Sequence, residues 1–182
     1  LHAWCGGEAF PVDLADWMKD SFQEVWNLYG PTETTIWSSI YKLSSNQITA
    51  GKPIANTELI ILNKNGDLTL PGAIGELHIS GEGISRGYIN KPSLTAQSFI
   101  PNPFATGKTI YKTGDQAYWT ADGNITILGR LDKQIKINGF RIELGEIESV
   151  IRSIDNVKDA VALVINTTSA PMLVAWAVIP DQ

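Results

Sequence analysis

The spacing of apolar positions changes twice along the chain. Residues 11–26 carry Leu14, Trp17, Met18, Phe22 and Val25 at helical spacing behind Asp13, which predicts a helix. Residues 36–42 predict a strand. From 57 to 127, short apolar runs ("ELIILN-KNGD", "GELHIS-GEG", "TIYKTGD", "QAYWT-ADG", "NITILGR") alternate with Gly, Asn and Pro turns. Asn65-Gly66 and Asp122-Gly123 are hairpin signals between such runs, so this part reads as β-rich. Beyond Arg130, "KQIKING" predicts a strand and a turn. "LGEIESVIRSI" predicts an amphipathic helix with Ile147, Val150, Ile151 and Ile154 on one face, and "VKDAVALVIN" and "MLVAWAVIP" predict strands. The C-terminal part is therefore a small β-α-β-β unit, with a boundary near Arg130–Asp132. "LHAWC" reads as the middle of a buried strand, and the last strand has nothing after it to pack on. The sequence is thus expected to be a piece of a longer polypeptide.

Composition narrows the class. Among 182 residues, 43% are apolar and 18% charged, which is globular rather than disordered. The net charge of -5, without a basic block, argues against a nucleic-acid partner. No apolar run is long enough to span a bilayer, so no membrane partner is expected. The single cysteine, Cys5, rules out an internal disulfide and fits a cytoplasmic location.

The candidate chemistry begins at "NLYGPTETT" (27–35). A tight Gly30-Pro31 turn leaves backbone N–H groups pointing outward, and Thr32, Thr34 and Thr35 add hydroxyls, so the loop can hold a phosphate. Glu33 would repel a phosphate unless Mg²⁺ lay between them, and Mg²⁺ binds through one or two carboxylates plus phosphate oxygens. Tyr29 offers a flat face for a base. The plainer alternative is a strand–turn–strand with surface threonines. Three further segments add to the first: the glycine-dense loop of "GELHISGEGISRGYI" (75–89), reaching Arg86; "YKTGD" (111–115), with Asp115 at a strand end as an acceptor for ribose hydroxyls; and "GRLDKQIKINGFRIELGEIE" (129–148), with Arg130, Lys136 and Arg141 around two glycine turns.

These stretches, with "GGEAF" and "KPSLTAQSFIPNPF", occur in an order that resembles the adenylation domains of nonribosomal peptide synthetases. Those domains belong to the acyl-adenylating superfamily that also holds acyl-CoA ligases and luciferases. The matching segments span positions 6 to 148. "RIELGEIE" and "YGPTETT" look like the amino-acid-activating branch, whereas acyl-CoA ligases usually show a Pro-x-Glu-Ile-Glu version of the former. The resemblance implies the C-terminal part of a large adenylate-forming domain: an α/β layer (1–56) and a distorted β-barrel-like subdomain (57–130). The start of a small mobile α+β subdomain (131–182) would follow. By similarity, Tyr29 would stack on adenine, Asn27 would bond its amino edge, and the backbone of Gly7 and Glu8 would pass close to the same base. Thr32, after the Gly30 turn, would contact the α-phosphate, and Glu33 would hold Mg²⁺. Asp115 would take the ribose hydroxyls, with Arg130 near the ribose and phosphates. Lys136 would reach the ribose ring and bridging oxygen, and Asp132 would be the hinge.

The activity implied is formation of an aminoacyl-adenylate and pyrophosphate from ATP and an amino acid. The acyl group would then be loaded onto the phosphopantetheine thiol of a carrier domain, beside condensation domains of the same synthetase. The family's phosphate loop and its C-terminal catalytic lysine do not occur in these residues, so the fragment by itself is expected to be inactive; Asn138 stands where the family often carries Arg. Trp4, Gly6, Leu28, Ile36 and Trp37 map to the amino-acid pocket. All are apolar or tiny, which disfavours a charged side chain and points to a small, glycine-like substrate. Trp4 and Trp37 as ordinary core residues is the commoner reading of tryptophan on strands. An acyl- or aryl-CoA ligase and a catalytically silent scaffold are the competing classes.

Overall fold

The computed structural model describes residues 1–44, 47–132, 134–137, 140–166 and 171–180. It divides into two compact units, Leu1–Leu131 and Asp132–Gln182.

The first unit opens with β1 (His2–Gly6), α1 (Val12–Ser21) and β2 (Glu24–Tyr29), a crossover in which β1 and β2 run parallel. β3 (Ser39–Lys42) and β4 (Lys52–Pro53) extend the sheet antiparallel, in the order β1-β2-β3-β4. Ala15 and Met18 of α1 pack on Val25 and Leu43, with Cys5, Phe10 and Phe22 around them. The helix predicted to run through residue 26 stops at Ser21. Phe22 is already extended (φ -125°, ψ 147°), and its N–H closes the helix on the Met18 carbonyl. Val25 fits the helical spacing by coincidence. Its burial belongs to the alternation of β2, whose backbone bonds are supplied by β1 on one side and β3 on the other. The strand expected over 36–42 begins only at Ser39, because Thr35 and Ile36 are spent on a left-handed turn (φ 63° and 71°).

The second layer of this unit contains β5 (Thr57–Leu62), β6 (Gly75–Gly81), the short helix α2 (Pro92–Ser98), β7 (Phe99–Pro101), β8 (Thr109–Trp119) and β9 (Ile125–Arg130). Its strands form one antiparallel sheet in the order β5-β6-β8-β7, with β9 also on β8. Its core is Leu59, Ile61, Leu77, Ile79, Ala117 and Ile125. Each large aliphatic there contributes about 2 kcal/mol by leaving water. The two sheets are stitched where Ala50 N–H donates to the Ile125 carbonyl (2.7 Å) and Ile125 N–H donates to that of Gly51 (2.8 Å). "TIYKTGD" and "QAYWT" are one continuous strand, β8, so Asp115 lies in mid-strand and not at a strand end. Gly114 adopts φ 73° there, and Thr113 Oγ1 accepts the Asp115 N–H at 2.9 Å, which lets the chain twist without breaking.

The second unit is β10 (Gln134–Ile137), β11 (Phe140–Glu143), α3 (Leu144–Arg152), β12 (Asp159–Asn166) and β13 (Pro171–Val178). β10 pairs with β11 and β12 with β13, both antiparallel. It has one strand more than the β-α-β-β reading, because the residues before "LGEIE" pair back onto β10. The buried side of α3 also differs from the predicted face. Leu144 and Glu148 are buried, whereas Val150 is exposed, as is Ile154 just past the helix end. Glu148 Oε1 accepts the Ala162 N–H (3.1 Å) and Oε2 takes Arg152 (3.3 Å), so a carboxylate fills a place that an apolar pattern cannot announce. Asn138 lies outside the described residues. Among the described residues, no helix is long and apolar enough to cross a membrane.

Candidate active site

The turn after β2 is held by its own backbone. Pro31 is extended (φ -79°, ψ 159°) and leads into a single 3-10 turn, Thr32–Thr34. Thr34 N–H returns to the Pro31 carbonyl (3.1 Å), Thr34 Oγ1 meets Ser38 Oγ (2.6 Å), and Ser38 N–H closes on the Tyr29 carbonyl (2.8 Å). Gly30 is required by close approach. A Cβ there would stand 2.4 Å from the Ile36 carbonyl oxygen and 2.7 Å from Ser38 N. Thr35 and Ile36, both β-branched, hold left-handed φ values at a cost on the order of 1–3 kcal/mol each, so the surroundings must over-determine them.

The glycine-dense loop supplies that constraint. Thr35 Oγ1 donates to the Gly83 carbonyl (2.7 Å), and Ser85 N–H donates to the Glu33 carbonyl (2.8 Å). A Cβ at Gly83 would lie 2.9 Å from the Thr34 carbonyl oxygen. The Tyr88 hydroxyl then donates to Glu33 Oε1 at 2.6 Å. Glu33 is 6% exposed, while Thr32 is exposed at the mouth of the turn. Among the described residues no group of three or more His, Cys, Asp and Glu gathers as a metal cage. One buried carboxylate at a hydroxyl-rich turn is nonetheless the donor set that Mg²⁺ uses when phosphate oxygens and water complete its shell, so Glu33 fits that ion.

At the other end of the same turn, Tyr29 reaches Asp115, 86 positions away, and donates its hydroxyl to Oδ2. Arg130, opposite Asp115 in the β8–β9 register, donates from Nη1 to Oδ1 at 3.0 Å. Burial, reinforced by the Asp115 charge, raises the Tyr29 phenol well above its ordinary pKa, so it stays protonated and donating. Asn27 is buried and donates Nδ2 to the Thr49 carbonyl at 2.7 Å, an anchor that fixes its amide plane and presents Oδ1 as its acceptor. Gly7 (φ 98°) and Glu8 are exposed, and nothing lies within 4 Å of where a Gly7 Cβ would be.

Of the predicted pocket residues, Gly6, Leu28 and Trp37 come together. A Cβ on Gly6 would lie 2.5 Å from the Leu28 carbonyl oxygen and 2.5–2.6 Å from the Trp37 ring, so the indole rests against the glycine. Leu28 is buried, whereas Ile36 and Trp4 are exposed within this chain (61% and 67%). Lys136 and Asp132 belong to the second unit. Lys136 is exposed on β10 opposite Arg141, and Asp132 Oδ1 accepts the Gln134 N–H at 3.0 Å. Sequence reasoning missed Tyr88, Thr49 and Gly83. Tyr88 carried one faint signal, an aromatic with a hydroxyl closing a glycine loop.

A family described as "AMP-binding enzyme" matches residues 1–89. Tyrocidine synthase 3 of Brevibacillus parabrevis is 46% identical over 182 residues, 97% of this chain and 3% of that protein, so the chain spans a small fraction of that relative's length. A solved nonribosomal peptide synthetase protein with adenylation and PCP domains superposes with a TM-score of 0.84 at 28% identity, over 97% of this chain and 37% of its own. A four-domain nonribosomal peptide synthetase bound to AMP and glycine is 43% identical with a TM-score of 0.70, over 100% and 14%. The Vibrio cholerae adenylation domain AlmE, in complex with glycyl-adenosine-5'-phosphate, is 30% identical with a TM-score of 0.85, over 97% and 35%.

Proposed function

The chain belongs to the AMP-binding enzymes, in the branch formed by the adenylation domains of nonribosomal peptide synthetases, and from that premise we propose that the whole protein activates a small amino acid as its adenylate. The substrate carboxylate attacks the α-phosphorus of ATP, the bond to the β-phosphate breaks, and pyrophosphate leaves. A phosphopantetheine thiol on a carrier domain then takes the acyl group and releases AMP; condensation domains of the same synthetase would receive the thioester. Two of the solved relatives described above are nonribosomal peptide synthetases and a third holds a glycyl-adenylate, which favours amino acids over the acids of CoA ligases.

The observation that carries this reading is the Asp115 carboxylate gripped between Tyr29 and Arg130 at one end of a turn whose other end buries Glu33. Asp115 would accept ribose hydroxyls in exchange for these partners. The Tyr29 ring and the exposed Gly7 and Glu8 would flank the base, and Asn27 Oδ1 would accept from its amino group. Thr32 donates to the α-phosphate. Mg²⁺, held through Glu33, would neutralise charge on the phosphates. Alignment of groups that carry little covalent chemistry of their own is how such sites gain rate. Residues 1–130 would be the end of the large domain, and 131–182 the start of the small one. Asp132 would act as hinge, and Lys136 would be brought to the ribose and bridging oxygen when the small domain turns. The contact between Gly6 and Trp37, which leaves little room on that side, supports a glycine-like substrate.

The test is amino-acid-dependent exchange of labelled pyrophosphate into ATP by the whole protein, run with panels of amino, fatty and aryl acids beside Glu33→Gln. Exchange with one small amino acid, lost in the variant, is the expected result. Exchange with fatty or aryl acids alone, or none with any acid, refutes the reading.

A further inference from the structure

Glu33 has two restraints of different kinds. Its main chain is pinned by Ser85 N–H, and its side chain receives the Tyr88 hydroxyl. Tyr88 is itself fixed at its backbone and at its ring. Its N–H donates to Thr95 Oγ1 (2.9 Å), and its ring stands edge-on to Phe99 (centroids 5.5 Å apart, 69° between planes). Phe99 in turn packs at 5.1 Å on Tyr111, which is 1% exposed. Gly87 before it (φ 125°) cannot be anything larger, since a Cβ would stand 2.3 Å from Thr95 Cγ2. A chain of packed groups thus runs from the core of the second sheet to one carboxylate oxygen.

Resting on the adenylation reading above, we propose that Tyr88 is a positioning residue for the metal-binding carboxylate: its hydroxyl fixes the plane and rotamer of Glu33 so that the carboxylate meets Mg²⁺ in one orientation. Mg²⁺ demands near-ideal octahedral geometry, and a glutamate free to rotate would offer it many poses. Hydrogen bonds to ligating carboxylates commonly matter by 10- to 100-fold in metal affinity.

The decisive variant is Tyr88→Phe in the whole protein, which keeps the ring on Phe99 and removes one hydroxyl. Two quantities are measured. One is the Mg²⁺ concentration that half-saturates pyrophosphate exchange. The other is Mn²⁺ binding, followed by electron paramagnetic resonance, to the protein holding a non-hydrolysable ATP analogue, where no turnover occurs. The half-saturating Mg²⁺ concentration and the Mn²⁺ dissociation constant should both rise about tenfold. KM for the amino acid should stay within about twofold, and Mn²⁺, the tighter binder of such sites, should recover most of the exchange. Phe99→Leu, which loosens the ring but keeps the hydroxyl, should give an intermediate rise. Glu33→Gln separates the two ideas: if it leaves Mn²⁺ binding unchanged, the metal role of Glu33 fails and Tyr88 with it. If Glu33→Gln abolishes binding while Tyr88→Phe keeps both constants within twofold, or lowers kcat without moving them, the positioning role alone is overturned.

Discussion

Truncating Trp37 tests the pocket most sharply. The indole occupies the space that even a single methyl on residue 6 would need, 2.5–2.6 Å from a Cβ built there. If Trp37 lines the substrate pocket as proposed, Trp37→Ala removes that wall and opens room for at least a methyl group on the substrate. Discrimination over one methylene in an apolar pocket amounts to about 1–3 kcal/mol, or roughly 10- to 200-fold in kcat/KM. The ratio of alanine to glycine kcat/KM in pyrophosphate exchange should therefore rise by at least about tenfold, with valine gaining as well. The cost in stability should be about 3 kcal/mol, the low end for such truncations, because Trp37 is only half-buried. A folded Trp37→Ala protein, checked by thermal melting, whose alanine-to-glycine ratio moves by less than about threefold refutes the argument. The reciprocal Gly6→Ala should be destabilising, and Trp37→Ala should rescue it only in part. The second clash, 2.5 Å from the Leu28 carbonyl oxygen, involves backbone that the indole does not control.

Gly30→Ala forces the 36–38 backbone away from β2 and breaks the Ser38–Tyr29 bond; it should cost about 2–4 kcal/mol in denaturant unfolding, and a neutral result would mean the turn is not rigidly set. Glu24 is held near pKa 2 rather than 4.5, chiefly by its bond to Lys42. A depressed carboxylate contributes stability that is complete above pH 4.5 and lost as pH falls through about 2, so Lys42→Met should move the Glu24 titration seen by NMR back towards its ordinary value. Unchanged titration in that variant would sink the assignment.

Local chemistry determined much of this protein. The hairpin residues Asp122-Gly123, the alternation of β5 and β6, and the strings "YGPTETT" and "RIELGEIE" are each complete within a few residues, because turn geometry and strand periodicity are local properties. The two strings, with the segments around them, carried the resemblance to peptide-synthetase adenylation domains. Tertiary structure decided the rest. It ended α1 at Ser21, since β2 gains more from its neighbouring strands than a longer helix would. It carried β8 straight through Gly114, leaving Asp115 in mid-strand between Tyr29 and Arg130. It chose Glu148 over Val150 for the inside of α3, to satisfy a strand amide, and brought Tyr88 to Glu33 from 55 positions away. A hydrogen-bond partner distant in the chain leaves no periodicity, and a carboxylate that will be satisfied by burial reads the same in sequence as one that will face water.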